Sequence, residues 1–206
     1  AVWYTAPGTG RLGRLTVNSA LDGSFEEYQL PAGDIAPRPQ DVGIQSASRI
    51  WVTVPNRSML YQYQVTTGIF VPVQTGAGSE PWSLAMSGGY PWFTDIAGNR
   101  IGSWNPSTLS IIYWRALPHA DSRPYGIDAW GGYVWFTEAS GQRVGRLSAT
   151  SFRDLQEFRL PGTSPAPAGI AVDSEGSAWI AAPGADQIMR WQSPYFERTW
   201  LPLVFR

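Results

Sequence analysis

At 206 residues, 43% hydrophobic and 14% aromatic, the chain carries enough apolar surface for one sizeable core, or for an array of small units sharing one, and a disordered chain is excluded. Its formal charge is −1, and its 15 basic residues, all Arg, alternate with acids instead of forming the stripe that a phosphate backbone needs, so nucleic acid is not an expected partner. There are no cysteines, hence neither a disulfide framework nor a thiolate metal site, and no apolar run approaches the roughly 20 residues of a membrane-crossing helix.

The chain opens on Ala1, already inside a phrase that recurs further along. An upstream segment that was cleaved, or that lies outside this sequence, is therefore expected. Secretion to an extracytoplasmic location is one explanation.

The recurring phrase is first met as VWYTAPGTGRLGRL at Val2, where two short runs flank the turn residues Pro7 and Gly8. A run FEEYQLP follows from Phe25. The second copy has a Pro-led lead-in, PQDVGI from Pro39, and then IWVTVPNRSMLYQY from Ile50. The third runs from PWSLAM at Pro81 through PWFTDIAGNRIGSW at Pro91 to IIYWRALP at Ile111. The fourth is the most complete: PYGIDA from Pro124, VWFTEASGQRVGRL from Val134 and LQEFRLP from Leu155. The fifth has PAGIAV from Pro167, AWIAAPGADQIMRW from Ala178 and a tail ERTWLPLVFR from Glu197 that supplies an outer strand.

Within the copies, Trp3, Trp51, Trp92, Trp135 and Trp179 recur at intervals of 48, 41, 43 and 44, and nine residues after each comes an aliphatic residue: Leu12, Leu60, Ile101, Val144 and Ile188. Turn chemistry between two β-rich runs predicts a hairpin, and the flanking runs predict one strand on either side. Four short strands per 41–48 residues, with 22 Gly and 17 Pro as punctuation and no helical period, predict an all-β fold, a β-propeller of four-stranded antiparallel blades. A β-sandwich with coincidental spacing would give no reason for the repeated Trp register. The expected boundaries are a single domain over 1–206, with repeats at about 1–31, 39–75, 81–118, 124–161 and 167–203. The five Trp are expected to fill the layers between blades as structural core.

The composite P-x-G-I-x-x-D, W-F-T-E, I-G-R-L and E-x-x-L-P resembles the blade repeat of the streptogramin B lyases, the virginiamycin B lyase family, over nearly the whole chain and most completely from Pro124 to Pro161. The resemblance implies seven blades around a channel, an innermost Pro-led strand, and ligands approaching the loops that enter that strand. This chain shows five hairpins but only four Pro-led strands. Three readings stand: a five-bladed ring with an incomplete blade, an arc of a larger propeller, which is preferred, or a part completed by another chain. Open edges and apolar termini, Ala1 to Thr5 and Trp200 to Phe205, favour association.

In that family the resemblance implies catalytic His residues directly after the Pro of the last two inner strands, and a magnesium site built from a Glu before such a Pro and a Glu four residues after a hairpin Trp. Here the post-Pro residues are Gln40, Trp82, Tyr125 and Ala168, the pre-Pro residues Arg38, Glu80, Arg123 and Ala166, and those four after Trp are Pro7, Pro55, Ile96, Ala139 and Pro183. Only Glu80 is an acid, so neither a metal nor another cofactor is expected, and no catalytic residue is assigned. The lone histidine, His119, sits in the loop before Pro124 with Asp121 close in sequence. It is the one catalytic candidate and is read as a solvated loop residue. Asp95 and Glu138 are expected to hold turn amides or to pair with Arg100 and Arg143.

The functional expectation is a non-catalytic binding or assembly module that engages a protein or glycan through a loop face bearing Trp82, Tyr125, Arg123, Arg100, Arg143, Gln40, Asp95 and Glu138. The alternative is a magnesium-dependent lyase of the streptogramin type, or a hydrolase with an unrecognised site. Fold does not choose between these.

Overall fold

The protein, seen in a computed structural model, is described over residues 1–17, 22–108, 110–192 and 201–203. Nearly every described element is a strand; the helical residues are two 3-10 turns, Pro55–Arg57 and Pro183–Ala185, each closed by a residue in the left-handed region, Ser58 and Asp186. The tail expected as an outer strand is described only at Leu201–Leu203, and the rest of Glu197 to Arg206 lies outside the described residues.

The strands assemble into five antiparallel sheets in chain order. β1 (Val2–Ala6), β2 (Arg11–Val17) and β3 (Gly23–Gln29) form a three-stranded sheet. β4 (Val42–Ser46), β5 (Arg49–Val54), β6 (Met59–Gln64) and β7 (Ile69–Gln74) form the next. It is followed by β8 (Pro81–Ser87), β9 (Tyr90–Asp95), β10 (Arg100–Asn105) and β11 (Ser110–Ala116). β12 (Pro124–Trp130), β13 (Tyr133–Glu138), β14 (Arg143–Ser148) and β15 (Gln156–Arg159) make the fourth sheet. β16 (Ile170–Val172), β17 (Ala178–Ala182), β18 (Gln187–Trp191) and β19 (Leu201–Leu203) make the last. Within each sheet every strand neighbours the next in sequence, which is the blade meander that the repeated hairpins require.

The chain divides into two compact units, Ala1–Leu84 and Ala85–Arg206. In the first, Leu12 and Leu30 meet Ile50, Val52, Val54, Tyr61 and Tyr63 in one apolar layer, with Trp3 and Tyr28 packed on it. In the second, Trp92, Ile101 and Leu117 meet Val134, Phe136 and Leu147, while on the other side of the fourth sheet Trp135, Val144 and Leu160 meet Ala178, Ile180, Met189 and Trp191. Alternation along each strand explains this: Phe136 and Trp135 point to opposite faces, so one sheet serves two layers. Gly145 lies opposite Phe136, and a Cβ there would enter the aromatic ring, so the glycine makes room for it.

Trp51, Trp92 and Trp135 are buried, whereas Trp3 and Trp179, in the first and last sheets, are half-buried. The expectation of five equivalent core Trp thus meets a gradient.

Candidate functional site

The Pro-led entrances of the inner strands are tied down by one repeated hydrogen bond. Thr5 donates its hydroxyl to the Gln40 carbonyl (3.1 Å), Thr53 to Trp82 (2.8 Å), Thr94 to Tyr125 (2.8 Å) and Thr137 to Ala168 (2.6 Å). Each donor stands two residues after a hairpin Trp, and each acceptor is the residue directly after a Pro. The four post-Pro residues are therefore structurally equivalent. Asp41 and Asp128 add a second tie: Asp41 accepts from the Leu84 amide (2.8 Å) and the Ser83 hydroxyl (2.7 Å), and Asp128 from the Val172 amide (2.7 Å). The W-x-T pattern, with Ala181 replacing Thr in the last copy, was the available signal for these tethers.

Gln40, Trp82 and Tyr125 are half-buried at these anchored entrances. Arg123 is exposed, with a left-handed φ of 49°, and its backbone is fixed on both sides: its amide donates to Asn99 Oδ1 (3.1 Å) and its carbonyl accepts from the Ala139 amide (3.1 Å). Arg100 is committed to the fold. It donates through Nε to Asp95 Oδ2 (2.9 Å) and lies 3.6 Å over the Trp114 ring. Arg143 donates to the Gly141 carbonyl (2.9 Å).

The acidic side chains differ sharply. Asp95 is fully buried and takes both roles open to it, accepting from the Gly98 turn amide (3.0 Å) as well as from Arg100. Glu138, equally buried, has no hydrogen-bond partner on either oxygen. Burial pushes its carboxyl up to about 7; the nearby Glu157 pushes the same way, and the Ser122 hydroxyl and Arg143 oppose. Ser122 directs its own proton to the His119 carbonyl (3.1 Å).

His119 does not rest on Asp121. Its Nε2 lies 3.3 Å from Glu157 Oε2, on β15, with the imidazole half exposed and the carboxylate largely covered. Asn99 fixes the loop carrying His119 by donating Nδ2 to the His119 carbonyl (2.7 Å). His119, Glu157 and Glu138 thus gather at one end of the fourth sheet, and Glu157, drawn from an outer strand, had no motif to announce it. Since Glu138 is 0% exposed, no substrate atom reaches it without movement of the 117–123 loop.

The divalent cation implied by the family pattern finds no matching donor set at the corresponding positions. In the last sheet those positions are Ala166 and Pro183, and beside them Ala168, Ala181, Ala182, Pro183 and Ile188, with Asp186 and Gln187, line a hollow of about 290 Å³. The side chains of Ala166 and Pro183 themselves offer Mg²⁺ no oxygen.

Anchored inner strands, four-stranded meander sheets and alternating apolar layers define a β-propeller blade array. The profile of the virginiamycin B lyase family matches residues 1–191, and the chain belongs to that family. Among solved structures it is similar to a streptogramin B lyase, with 25% identity and a TM-score of 0.85, over 99% of this chain and 65% of that one. It is also similar to a catalytically inactive virginiamycin B lyase from Staphylococcus aureus with quinupristin (25% identity, TM-score 0.83), over 97% of this chain and 64% of that one. The WD40 repeats of RRP9 share the fold at 14% identity and a TM-score of 0.72, over 98% of this chain and 56% of that one. The chain thus spans somewhat less than two thirds of the length of the lyases it matches. No curated relative matches the sequence significantly.

Proposed function

We infer that this chain is a non-catalytic member of its family, a binding module that engages a protein partner through the loops that enter its Pro-led strands, Trp82 marking one such entrance and Tyr125 with Arg123 another. One observation carries this reading: four equivalent post-Pro positions, anchored by the same Thr hydrogen bond, hold Gln40, Trp82, Tyr125 and Ala168, with no imidazole among them. A general base must lie within hydrogen-bond reach of the proton it removes, and none of these side chains is one. A half-buried Tyr125 two residues from an exposed Arg123 is instead what interface centres favour.

The enzymatic reading has one physical foothold, the raised carboxyl of Glu138. The full burial of that side chain argues against it. The test has two arms. Incubation of the purified chain with quinupristin and Mg²⁺ is expected to give no linear product by chromatography; turnover abolished by His119→Ala would overturn the reading. In a pull-down, Trp82→Ala with Tyr125→Ala is expected to lose a partner retained by the parent, and competition by an oligosaccharide would reassign that partner from protein to glycan.

A further inference from the structure

β8 and β12 hold the same place in the third and fourth sheets, each opening on a Pro and each turning through Gly-Gly into the strand of its hairpin Trp. Their last residues differ: β12 ends on Trp130, β8 on Ser87. The Trp130 ring lies against the next sheet at Gly176, three residues before Trp179, where a Cβ would enter the ring. The equivalent glycine for Ser87 is Gly132, three residues before Trp135, and a Cβ there would meet open space.

That space is a cavity of about 630 Å³, at the end of these sheets opposite the Pro-led entrances. Tyr90 and Phe152 give it two rings, Ser87, Asn105 and Thr150 its polar side chains, and glycine and alanine the rest of its described wall. None of these residues is charged, so the cavity suits a neutral occupant. Its volume falls in the range of small-molecule sites, ~300–1,000 Å³. Gly88 and Thr150 on its wall are exposed, so it is reached from solvent. The wall is also firmly built. Phe152 takes a left-handed φ of 58°, which a bulky residue adopts only where its surroundings impose it. Its amide donates to the Ser148 carbonyl (3.1 Å), and its ring stacks on the buried Trp92 at 5.5 Å. Asn105 Oδ1 is taken by the Ser107 amide (2.8 Å), which leaves Nδ2 as the group offered to an occupant.

We propose that this cavity binds a free, neutral, planar aromatic molecule of the indole class, whose fused rings take the place that the Trp130 side chain takes on the fourth sheet. Tyr90 and Phe152 supply the ring contacts, and burial of the bicycle removes its apolar surface from water. A preformed cavity of side-chain size accepts small aromatics of matching shape. The site is separate from Trp82, Tyr125 and Arg123, so it stands whether or not those residues bind a protein.

Fluorine NMR tests it, with an indole fluorinated on its benzene ring as the probe, because the probe's own line reports binding in a chain with 11 Trp. With the parent chain at millimolar probe, the line is expected to broaden and to sharpen again when excess unlabelled indole is added. Ser87→Trp builds the Trp130 arrangement into the third sheet and is expected to abolish that displaceable broadening. Ser87→Ala removes the hydroxyl without filling the cavity and is expected to keep it. No displaceable broadening with the parent, broadening by Ser87→Trp equal to the parent's, its loss in Ser87→Ala, or displacement by glucose as effective as by indole would each overturn the proposal. Circular dichroism checks the fold of each variant, and Thr150→Trp, which narrows the cavity from an exposed position, replaces Ser87→Trp should that variant not fold.

Discussion

Asp95 and Glu138 stand at the same place in two sheets, each ending a strand that carries W-F-T and each followed five residues later by an arginine, Arg100 or Arg143. Their surroundings diverge because of one methylene. The shorter Asp95 reaches back to the Gly98 amide in an Asx-type turn and still meets Arg100 Nε, which in turn stacks on Trp114. In the second hairpin the Gly141 amide donates to the Ser122 carbonyl (3.3 Å), and Arg143 turns to the Gly141 carbonyl, so Glu138 is left buried with no hydrogen bond to either oxygen, and Arg143 and Ser122 offset its burial only in part. A repeated sequence phrase therefore specifies a repeated backbone without specifying repeated electrostatics. A buried acid with partners stabilises its charged form, and one without them favours the proton.

The largest expected effect lies on the paired side. Asp95→Ala removes an ion pair and a turn hydrogen bond from a buried site and strands Arg100, with an expected loss of about 3 kcal/mol in urea unfolding. A loss below about 1 kcal/mol would show that Arg100 is held by Trp114 alone.

Glu138→Gln is expected to act in the opposite direction. The folded pKa of about 7 lies above the ordinary 4.5, so the folded chain holds the proton more tightly than the unfolded one, and stability falls as pH rises from about 4.5 to about 7. The full shift corresponds to about 3 kcal/mol, which screening near half-buried Arg143 reduces to about 2 kcal/mol. The variant should be more stable than the parent by that amount at pH 8, with the difference fading toward pH 5. An equal difference at both values would mean that the effect comes from packing rather than protonation.

The smallest effect is expected at His119. Its contact with Glu157 at 3.3 Å joins a half-exposed imidazole to the cluster, so His119→Ala should cost less than about 0.5 kcal/mol. A larger loss, read by the same unfolding experiment, would make His119 an anchor of the loop above Glu138.

The hairpins, their turn residues and the four-strand period were legible because they are local: Pro, Gly and Asn act on their own backbone, and a copy five times repeated exposes the offset from each Trp to its aliphatic partner. The Thr tethers were visible in W-x-T but are understood only through their acceptors, which lie 29 to 35 residues on. Family membership followed from the same repeats, and the profile match over residues 1–191 agrees.

What the sequence determined alone was the unit: strand, turn, strand and the alternation that gives each sheet two faces. Only the tertiary structure decided what each face meets, and that choice turned corresponding residues to different ends. It buried Trp92 and left Trp179 half open, sealed Val134 and exposed Val2, paired Asp95 and isolated Glu138. The physical reason is that burial and charge pairing belong to the neighbour as much as to the residue, and the neighbours here, Glu157 against His119 or Ile101 against Leu147, come from separate strands and sheets that no local pattern brings together.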